Sequence, residues 1–108
     1  MNRDRIGIDL IKLDRVQLKE SFINMVLTSF EREELDRRTS DKKKIEYLAG
    51  RFAAKEAIFK VTQDKGYLSY SVLHDDNGCP YVAEHPELSV SISHDGDYAV
   101  AIVLKRED

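Results

Sequence analysis

Hydrophobic and polar positions alternate near the start of the chain. Ile6, Ile8 and Leu10 alternate with Gly7 and Asp9, and this period of two predicts a β-strand. The second face of the strand therefore carries Asp9. A carboxylate is unusual at this position because Asp has a low propensity for strands.

The spacing of apolar residues becomes helical after this strand. Residues 14–37 are predicted to form helix in two parts, with Asp14 or Ser21 as a cap for the first part. The second part opens at Thr28. Glu31 follows three residues later, which is the spacing of a capping box.

The longest predicted helix covers residues 40–63. Ser40 or Asp41 can cap this helix, and Gly66 lies just beyond its end. Several apolar residues fall within one arc of the helix, and Glu56 lies in the middle of that arc. A carboxylate there is costly to bury unless it meets a cation, a metal or hydrogen bonds. The arc consists of Ile45, Ala49, Phe52, Ala53 and Phe59.

The second half of the chain has the pattern of strands joined by turns. Apolar residues alternate with serines over 68–72, and Asn77-Gly78 marks a turn into a further strand at 80–82. Alternation returns over 90–93, and Asp95-Gly96 is predicted to be a two-residue hairpin turn.

The last predicted strand, residues 98–104, is apolar on both faces. Such a strand is either central in its sheet or lies at a subunit interface. Strands at both ends of the chain with helices between them predict an α+β fold.

Length and composition limit the function classes. The 108 residues fit one domain, predicted over residues 1–108. The net charge of −3, from 17 basic and 20 acidic residues, gives no general attraction to nucleic acid. There is no apolar run of about 20 residues for a membrane span, and the first residues lack the apolar region of a secretory signal. Cys79 is the single cysteine, so an internal disulfide is excluded. We therefore expect a cytoplasmic protein.

Asp9 and Glu56 are two hard oxygen donors from separate elements. Mg²⁺ is commonly held by one or two carboxylates together with water and substrate phosphates. Two other interpretations remain open. Glu56 can form an ion pair with Lys60, one helical turn later, and Asp9 can lie at a solvent-facing strand edge or cap the following helix.

Basic residues surround Glu56 on the long helix. Arg51, Lys55 and Lys60 could meet a phosphate-rich ligand lying along the helix, although a solvated charged face is the usual meaning of such a run. His94 ends a predicted strand just before a turn, where a histidine is most often a surface residue.

Three of these segments resemble the motifs of holo-acyl-carrier-protein synthases. The first is GIDL at 7–10 with Arg15 downstream. The second is LAGRFAAKEA at 48–57, followed by Lys60. The third is VSISH at 90–94, followed by YAVA at 98–101. The similarity runs along the whole chain in order, and the central motif is the most specific of the three.

The resemblance implies a fold and an activity. The fold is that of 4'-phosphopantetheinyl transferases, an antiparallel sheet packed with a long central helix, in a homotrimer with active sites between subunits. The enzyme would transfer 4'-phosphopantetheine from coenzyme A to a serine of apo acyl carrier protein and release adenosine 3',5'-bisphosphate, with Mg²⁺. Whether the carrier protein serves fatty-acid or secondary-metabolite synthesis stays open.

The resemblance also implies roles for individual residues. Asp9 and Glu56 match the magnesium ligands. Arg51, Lys55 and Lys60 match basic positions around the coenzyme A phosphates, with Lys60 close to the reacting phosphoryl group.

Further implied roles concern the nucleotide and the protein partner. Ser91 and His94 would lie near the ribose and the 3'-phosphate. The residues of the Gly78-x-Pro80 turn, Gly78 and Pro80, are also assigned to the coenzyme site. The basic face of the first helix, with Arg15 and Lys19, would receive the acidic carrier protein.

The chain departs from the family pattern in three places. A glycine-rich loop after the central helix is reduced to Gly66, the stretch between Pro80 and Ser91 is short, and Asp95 adds an anion beside His94. The reduced loop motivates an alternative, a coenzyme A or carrier-protein binding module without turnover. A structural domain without any ligand would require the motifs to be accidental.

Overall fold

The computed structural model describes residues 3–107 and has the α+β architecture that the sequence predicts. Three α-helices and five strands form it, together with short 3-10 turns at Leu13–Arg15 and Tyr67–Ser69. The helices are α1 (Glu20–Val26), α2 (Ser29–Asp36) and α3 (Asp41–Thr62). The strands are β1 (Arg5–Lys12), β2 (Val72–His74), β3 (Pro80–Val82), β4 (Leu88–Asp95) and β5 (Tyr98–Lys105).

The main sheet is antiparallel, with the strand order β1-β5-β4. The doubly apolar β5 is its central strand, which is one of the two positions that the sequence allows. Ala99, Ala101 and Val103 of β5 are buried on the face of the sheet that packs against α3. Small residues on this face let the helix lie close to the sheet.

The hairpin between β4 and β5 is confirmed, but its turn is displaced by one residue. Asp95 pairs with Tyr98, so the two loop residues are Gly96 and Asp97 rather than Asp95 and Gly96. Gly96 has a φ of +57°, a conformation that glycine adopts without steric cost.

The smaller sheet is the hairpin of β2 and β3, with Gly78 in its turn at a φ of +82°. The strand predicted to begin at residue 68 is wrong, because Tyr67–Ser69 forms a 3-10 turn and β2 begins only at Val72. Of the alternating apolar residues, Leu68 lies in the turn, Tyr70 follows it and Val72 begins the strand. The local pattern does not distinguish a longer strand from a turn followed by a short one.

The long helix α3 has the bounds that its sequence predicts. Ser40 caps it by accepting a hydrogen bond from the Lys43 N–H at 3.2 Å. Gln63 ends it in the left-handed conformation, at a φ of +64°, and donates its N–H to the Phe59 carbonyl. Gly66 is therefore not the residue that turns the chain at the helix end.

The buried surface of α3 is wider than the apolar arc that the sequence predicts. Ala49 and Ala53 of that arc are buried, whereas Ile45, Phe52 and Phe59 are only partly buried. The helix contacts β1, β4 and β5, and also α1 and α2. Because neighbours lie on several sides of it, most of its circumference is buried, including positions outside the arc.

The sequence predicts the caps of the two helices before α3 only in part. The first helix starts at Glu20, after Lys19, without a side-chain cap, so neither Asp14 nor Ser21 caps it. The capping box of α2 is confirmed, because the Thr28 hydroxyl accepts from the Glu31 N–H and the Glu31 carboxylate accepts from the Thr28 N–H at 2.8 Å.

The outer face of the main sheet is apolar and exposed. Ile6, Ile8 and Leu10 of β1 are 68%, 55% and 63% exposed. In the pairing of the strands Ile8 lies opposite Ile102 of β5, which is 43% exposed. None of the helices in residues 3–107 is long and apolar enough to cross a membrane.

Candidate functional site

The face of β1 that packs against α3 carries Asp9. Gly7 and Ile11 on the same face are buried, and Asp9 is partly buried between them. The strand therefore places this carboxylate toward α3 and not at a solvent-facing edge. Glu56 of α3 lies close enough for its charge to affect the ionisation of Asp9. The structure thus brings together the two carboxylates that the sequence singled out.

The pKa of Asp9 is raised above its usual value of 3.8. Burial is the main cause, and the neighbouring charge of Glu56 adds to it. Lys60 and Arg15 act in the opposite direction. A bound cation would favour the ionised form of Asp9, because its positive charge offsets the cost of burying the carboxylate.

Lys60 lies one turn after Glu56 on α3 and faces Asp9 of β1. Its ammonium donates to the Ile8 carbonyl at 2.5 Å and is 3.7 Å from an Asp9 carboxylate oxygen. Its side chain is 51% exposed, so it can also reach a ligand. The alternative of a Glu56–Lys60 ion pair is not what the structure has, since Lys60 pairs with Asp9 instead.

Glu56 is held by a residue that the sequence analysis did not identify. The Tyr67 hydroxyl donates to Oε2 of Glu56 at 3.1 Å. The pKa of Tyr67 is raised by burial and by the charge of Glu56. Glu56 and Tyr67 line a cavity of about 360 Å³ beside the C-terminal half of α3.

The donor set fits Mg²⁺ only together with a ligand. Residues 3–107 contain no group of three or more His, Cys, Asp or Glu side chains arranged to hold a metal ion. Asp9 and Glu56 supply two carboxylates, and Mg²⁺ is usually bound by one or two carboxylates with water and substrate phosphates completing the octahedron. The site therefore suits a metal that arrives with, or is completed by, a phosphate ligand.

Lys55 does not lie on a solvated face. Its side chain is 1% exposed and its ammonium lies 2.5 Å from the Glu31 carboxylate and 2.6 Å from the Val26 carbonyl. Burial lowers the pKa of Lys55, and the charge of Glu31 opposes this shift. Glu31 is itself fully buried and also accepts the Val72 N–H at 2.7 Å. The pair joins α2, α3 and β2.

Arg51 is buried on another side of α3. Its guanidinium donates to the Val72 carbonyl at 3.0 Å, lies 3.0 Å from His74 Nδ1 and is 3.4 Å from the Glu34 carboxylate. Burial lowers the pKa of Arg51, but a guanidinium stays charged in proteins. Tyr47 lies between two guanidinium groups, with Arg51 and Arg38 at 4.2 and 4.3 Å from its ring centre.

A cleft of about 260 Å³ opens beside this network. Four residues assigned to the coenzyme site by resemblance line it, namely Arg51, Gly78, Pro80 and His94. Arg38 and Lys43 line it as well, which the sequence analysis missed. The cleft therefore gathers several cationic or hydrogen-bonding groups, an arrangement that suits an anionic ligand.

His94 has a defined orientation in this cleft. Its Nε2 lies 2.8 Å from the Glu46 carbonyl, and because a carbonyl only accepts, Nε2 carries the proton. Gly50 makes room for the ring, since a Cβ there would lie 3.3 Å from Nε2. No group in residues 3–107 hydrogen-bonds to Nδ1 of the imidazole, which is left for a ligand or water.

The remaining predicted residues lie elsewhere. Ser91 is on the exposed outer face of β4, opposite Ile102, and does not line the cleft in residues 3–107. Arg15 and Lys19 are exposed, but neither is part of α1, since Arg15 ends a 3-10 turn and Lys19 directly precedes the helix. The expected basic face of the first helix is therefore a basic segment before it.

The residues missed by the sequence analysis depend on contacts distant in sequence. Glu31 was identified only as a capping residue, although it also binds Lys55. Tyr67 and Arg38 carry no local motif. The only sequence signal for Tyr67 is that an aromatic residue follows the end of α3. This position does not show whether the side chain packs or makes a polar contact.

Comparisons with known proteins agree on one family. The family model described as the 4'-phosphopantetheinyl transferase superfamily matches residues 5–103. The holo-[acyl-carrier-protein] synthase of Geobacillus sp. (strain WCH70) is 39% identical, over 92% of each chain. That of Mycoplasma mycoides subsp. mycoides SC is 36% identical, over 97% of this chain and 96% of the relative.

Solved structures give the same result. The crystal structure of a holo-(acyl-carrier-protein) synthase from Bacillus anthracis in complex with CoA (3',5'-ADP) superposes with a TM-score of 0.84 at 34% identity. The superposition covers 95% of this chain and 96% of that one.

Proposed function

Because the chain belongs to the 4'-phosphopantetheinyl transferase superfamily and to its holo-acyl-carrier-protein synthases, which are enzymes, we propose that it transfers 4'-phosphopantetheine from coenzyme A to a serine of an acyl carrier protein. The observation that supports this most directly is the meeting of Asp9 from β1 with Glu56 and Lys60 from α3. The strand and the helix are distant in the sequence, and their side chains form one charged site.

In this proposal Asp9 and Glu56 would hold Mg²⁺, together with the pyrophosphate of coenzyme A. When bound, the metal would neutralise charge on the phosphoryl oxygens. Lys60, which is exposed beside Asp9, contributes a second positive charge to the same group. The serine oxygen attacks the β-phosphorus and its proton passes to water. The bond to the oxygen of adenosine 3',5'-bisphosphate breaks, and that nucleotide leaves.

The proposed nucleotide site is the cleft lined by Arg51 and His94. Arg38 and Lys43 supply further cations to it, so the 3'-phosphate can be met by several donors. Arg51 is fixed there by Glu34 and the Val72 carbonyl. Lys55 lines the cavity that Glu56 also lines, but its ammonium is bound by Glu31 and the Val26 carbonyl, so it is assigned mainly a structural role beside the phosphates.

The carrier protein is proposed to dock at the basic segment that precedes α1. Arg15 and Lys19 are exposed there, and the charge of Arg15 reaches Asp9. A partner bound to this segment would therefore present its serine close to the metal site. Carrier-protein recognition by exposed cations would weaken as salt rises, because surface charge interactions are screened.

We further propose that the exposed apolar face of the main sheet joins copies of the chain into a trimer. Ser91 lies on this outer face, away from the cleft of its own chain. Its predicted contact with the nucleotide is thus compatible with a site to which a second copy contributes. On this view the site is complete only in the oligomer.

The proposal is tested by intact-mass spectrometry. Apo acyl carrier protein is incubated with the enzyme, coenzyme A and Mg²⁺, with EDTA in a parallel sample. We expect a mass gain of one phosphopantetheine group that EDTA abolishes. Asp9→Asn and Glu56→Gln should each remove almost all of the gain while leaving the protein folded.

The alternative, a binding module without turnover, rests on the loop with a single glycine at Gly66. It would be favoured if coenzyme A bound but none of several acidic carrier proteins gained mass. A wild-type rate in both carboxylate variants would instead contradict the metal assignment alone.

A further inference from the structure

We propose that the Tyr67 hydroxyl is a positioning group for the metal-binding carboxylate of Glu56. This inference rests on the proposed function, in which Glu56 is a magnesium ligand. It concerns the loop after α3, where the chain has Tyr67 and only one glycine.

The geometry singles out one oxygen of the carboxylate. Tyr67 donates to Oε2 of Glu56 at 3.1 Å. Within residues 3–107 this is the hydrogen bond that Glu56 receives, so Oε1 is left for a cation. A carboxylate with one oxygen fixed cannot rotate freely, and hydrogen bonds of this kind orient metal ligands and raise metal affinity.

The tyrosine ring is itself held in place. Its centre lies 5.7 Å from that of Phe52 on α3, and Phe52 lies 5.5 Å from Phe22 on α1. This row of three rings connects the loop to two helices. Loss of the hydroxyl alone should therefore leave the ring where it is.

The loop backbone also fixes the position of Tyr67. The Gly66 N–H donates to the Asp64 carboxylate at 2.8 Å, and the Ser69 N–H donates to the Gly66 carbonyl at 3.0 Å. A Cβ at Gly66 would overlap the Ser69 hydroxyl. The turn is thus tightly defined, and it presents the hydroxyl to Glu56 from a short, internally bonded segment.

The test measures metal binding without turnover. Mn²⁺ is titrated into enzyme saturated with coenzyme A, in the absence of carrier protein, and free Mn²⁺ is followed by electron paramagnetic resonance. We expect Tyr67→Phe to weaken Mn²⁺ binding by about tenfold, the size of effect known for lost second-sphere hydrogen bonds. The matched control is Tyr81→Phe on β3, an exposed tyrosine, which should bind Mn²⁺ as the wild type does.

Two further measurements make each outcome decisive. Coenzyme A affinity without metal should be unchanged in Tyr67→Phe, and an equal loss of coenzyme A and Mn²⁺ binding would overturn the positioning role in favour of a structural one. Wild-type Mn²⁺ affinity in Tyr67→Phe would overturn it as well. If Glu56→Gln also binds Mn²⁺ normally, the proposed metal site itself is wrong, and the inference falls with it.

Discussion

Gly7 of β1 lies so close to Ala57 of α3 that a Cβ built on it would overlap the Ala57 carbonyl oxygen and lie 3.2 Å from Cβ of Lys60. The close approach has a functional consequence, because Asp9 follows two residues after Gly7 on the same face and Glu56 immediately precedes Ala57. The distance between strand and helix at this point sets the separation of the two carboxylates.

Gly7→Ala is therefore expected to reduce both stability and activity. The added methyl meets backbone, which cannot rotate away, and overpacking of this kind typically costs about 1–3 kcal/mol of unfolding free energy. Urea unfolding measures the loss, and the phosphopantetheine transfer assay measures the effect on the site.

The contrasting variant for Gly7→Ala is Gly96→Ala, since no atom lies within 4 Å of a Cβ at Gly96. Its positive φ should cost about 1–2 kcal/mol without changing the turnover of the folded protein. If both variants lost activity in proportion to stability, the contact at Gly7 would have no special effect on the site.

Lys60→Met is expected to lower kcat without a comparable loss of stability. The Lys60 side chain is half exposed and its ammonium contacts Asp9 and the Ile8 carbonyl, so the side chain contributes little to the packing of the core. Removing one charge that stabilises a transition state typically costs about 10²–10³ in kcat. Lys42→Met, at an exposed lysine in the first turn of α3, is the control and should retain more activity.

The buried ion pair of Glu31 and Lys55 leads to a prediction about folding. Glu31→Gln leaves Lys55 buried with a neutral partner, and breaking a buried pair from one side typically costs about 3–5 kcal/mol. Glu33→Gln, on the exposed side of the same helix, should change the unfolding free energy little. A small effect of Glu31→Gln in chemical denaturation would mean that Lys55 is satisfied without its charge partner.

The same pair shows why part of the site could not be predicted from sequence. The bounds of α3, the capping box of α2 and the β4–β5 hairpin depend on neighbours within a few residues, and the sequence predicts all three. The partner of Lys55 lies 24 residues away, and nothing in the run that contains Lys55 indicates that this lysine is buried while Lys60 is exposed.

The choice among possible ion pairs has the same origin. Glu56 and Lys60 are one helical turn apart, and local spacing favours their pairing. In the fold β1 packs against α3, so Lys60 forms an ion pair with Asp9, and Glu56 accepts a hydrogen bond from the Tyr67 hydroxyl. The motifs identified which residues matter, whereas the packing of α3 against β1 decides which of them touch.

The acid stability of the protein should depend on Glu34. Burial alone would raise the pKa of Glu34, but hydrogen bonds from the His74 N–H and the Tyr47 hydroxyl, with the charge of Arg51, lower it below its usual value of 4.5. The folded protein then binds fewer protons at Glu34 than the unfolded chain does. The contribution of Glu34 to the free energy of unfolding is therefore fully present above about pH 4.5, and it is lost as the pH falls through the pKa of Glu34 in the folded protein.

Glu34→Gln removes this titration. The slope of unfolding free energy against pH below pH 4.5 should become shallower in the variant, as measured by urea unfolding at several pH values. Glu33→Gln, whose carboxylate is exposed on the same helix, should leave the slope as in the wild type. Equal slopes in Glu34→Gln and wild type would show that Glu34 does not drive acid unfolding.

The final prediction concerns the outer face of the main sheet. Three large aliphatic residues of β1 are more than half exposed there, next to Ile102 of β5, and contiguous apolar surface of this kind marks an interaction site. The proposed trimer would bury it, and light scattering after size exclusion should give a mass of three chains of 12.4 kDa each. Ile8→Lys places a charge in the centre of this face and should yield smaller species. Met25→Lys, at an exposed apolar residue of α1, is the matched control and should leave the mass unchanged.

Ser91 lies on the same outer face of the sheet as Ile8. If the site needs a second copy, Ile8→Lys should therefore also lose transfer activity, and the loss should be partly recovered at high protein concentration. A wild type that is monomeric at every concentration yet fully active would contradict both the interface and the shared site.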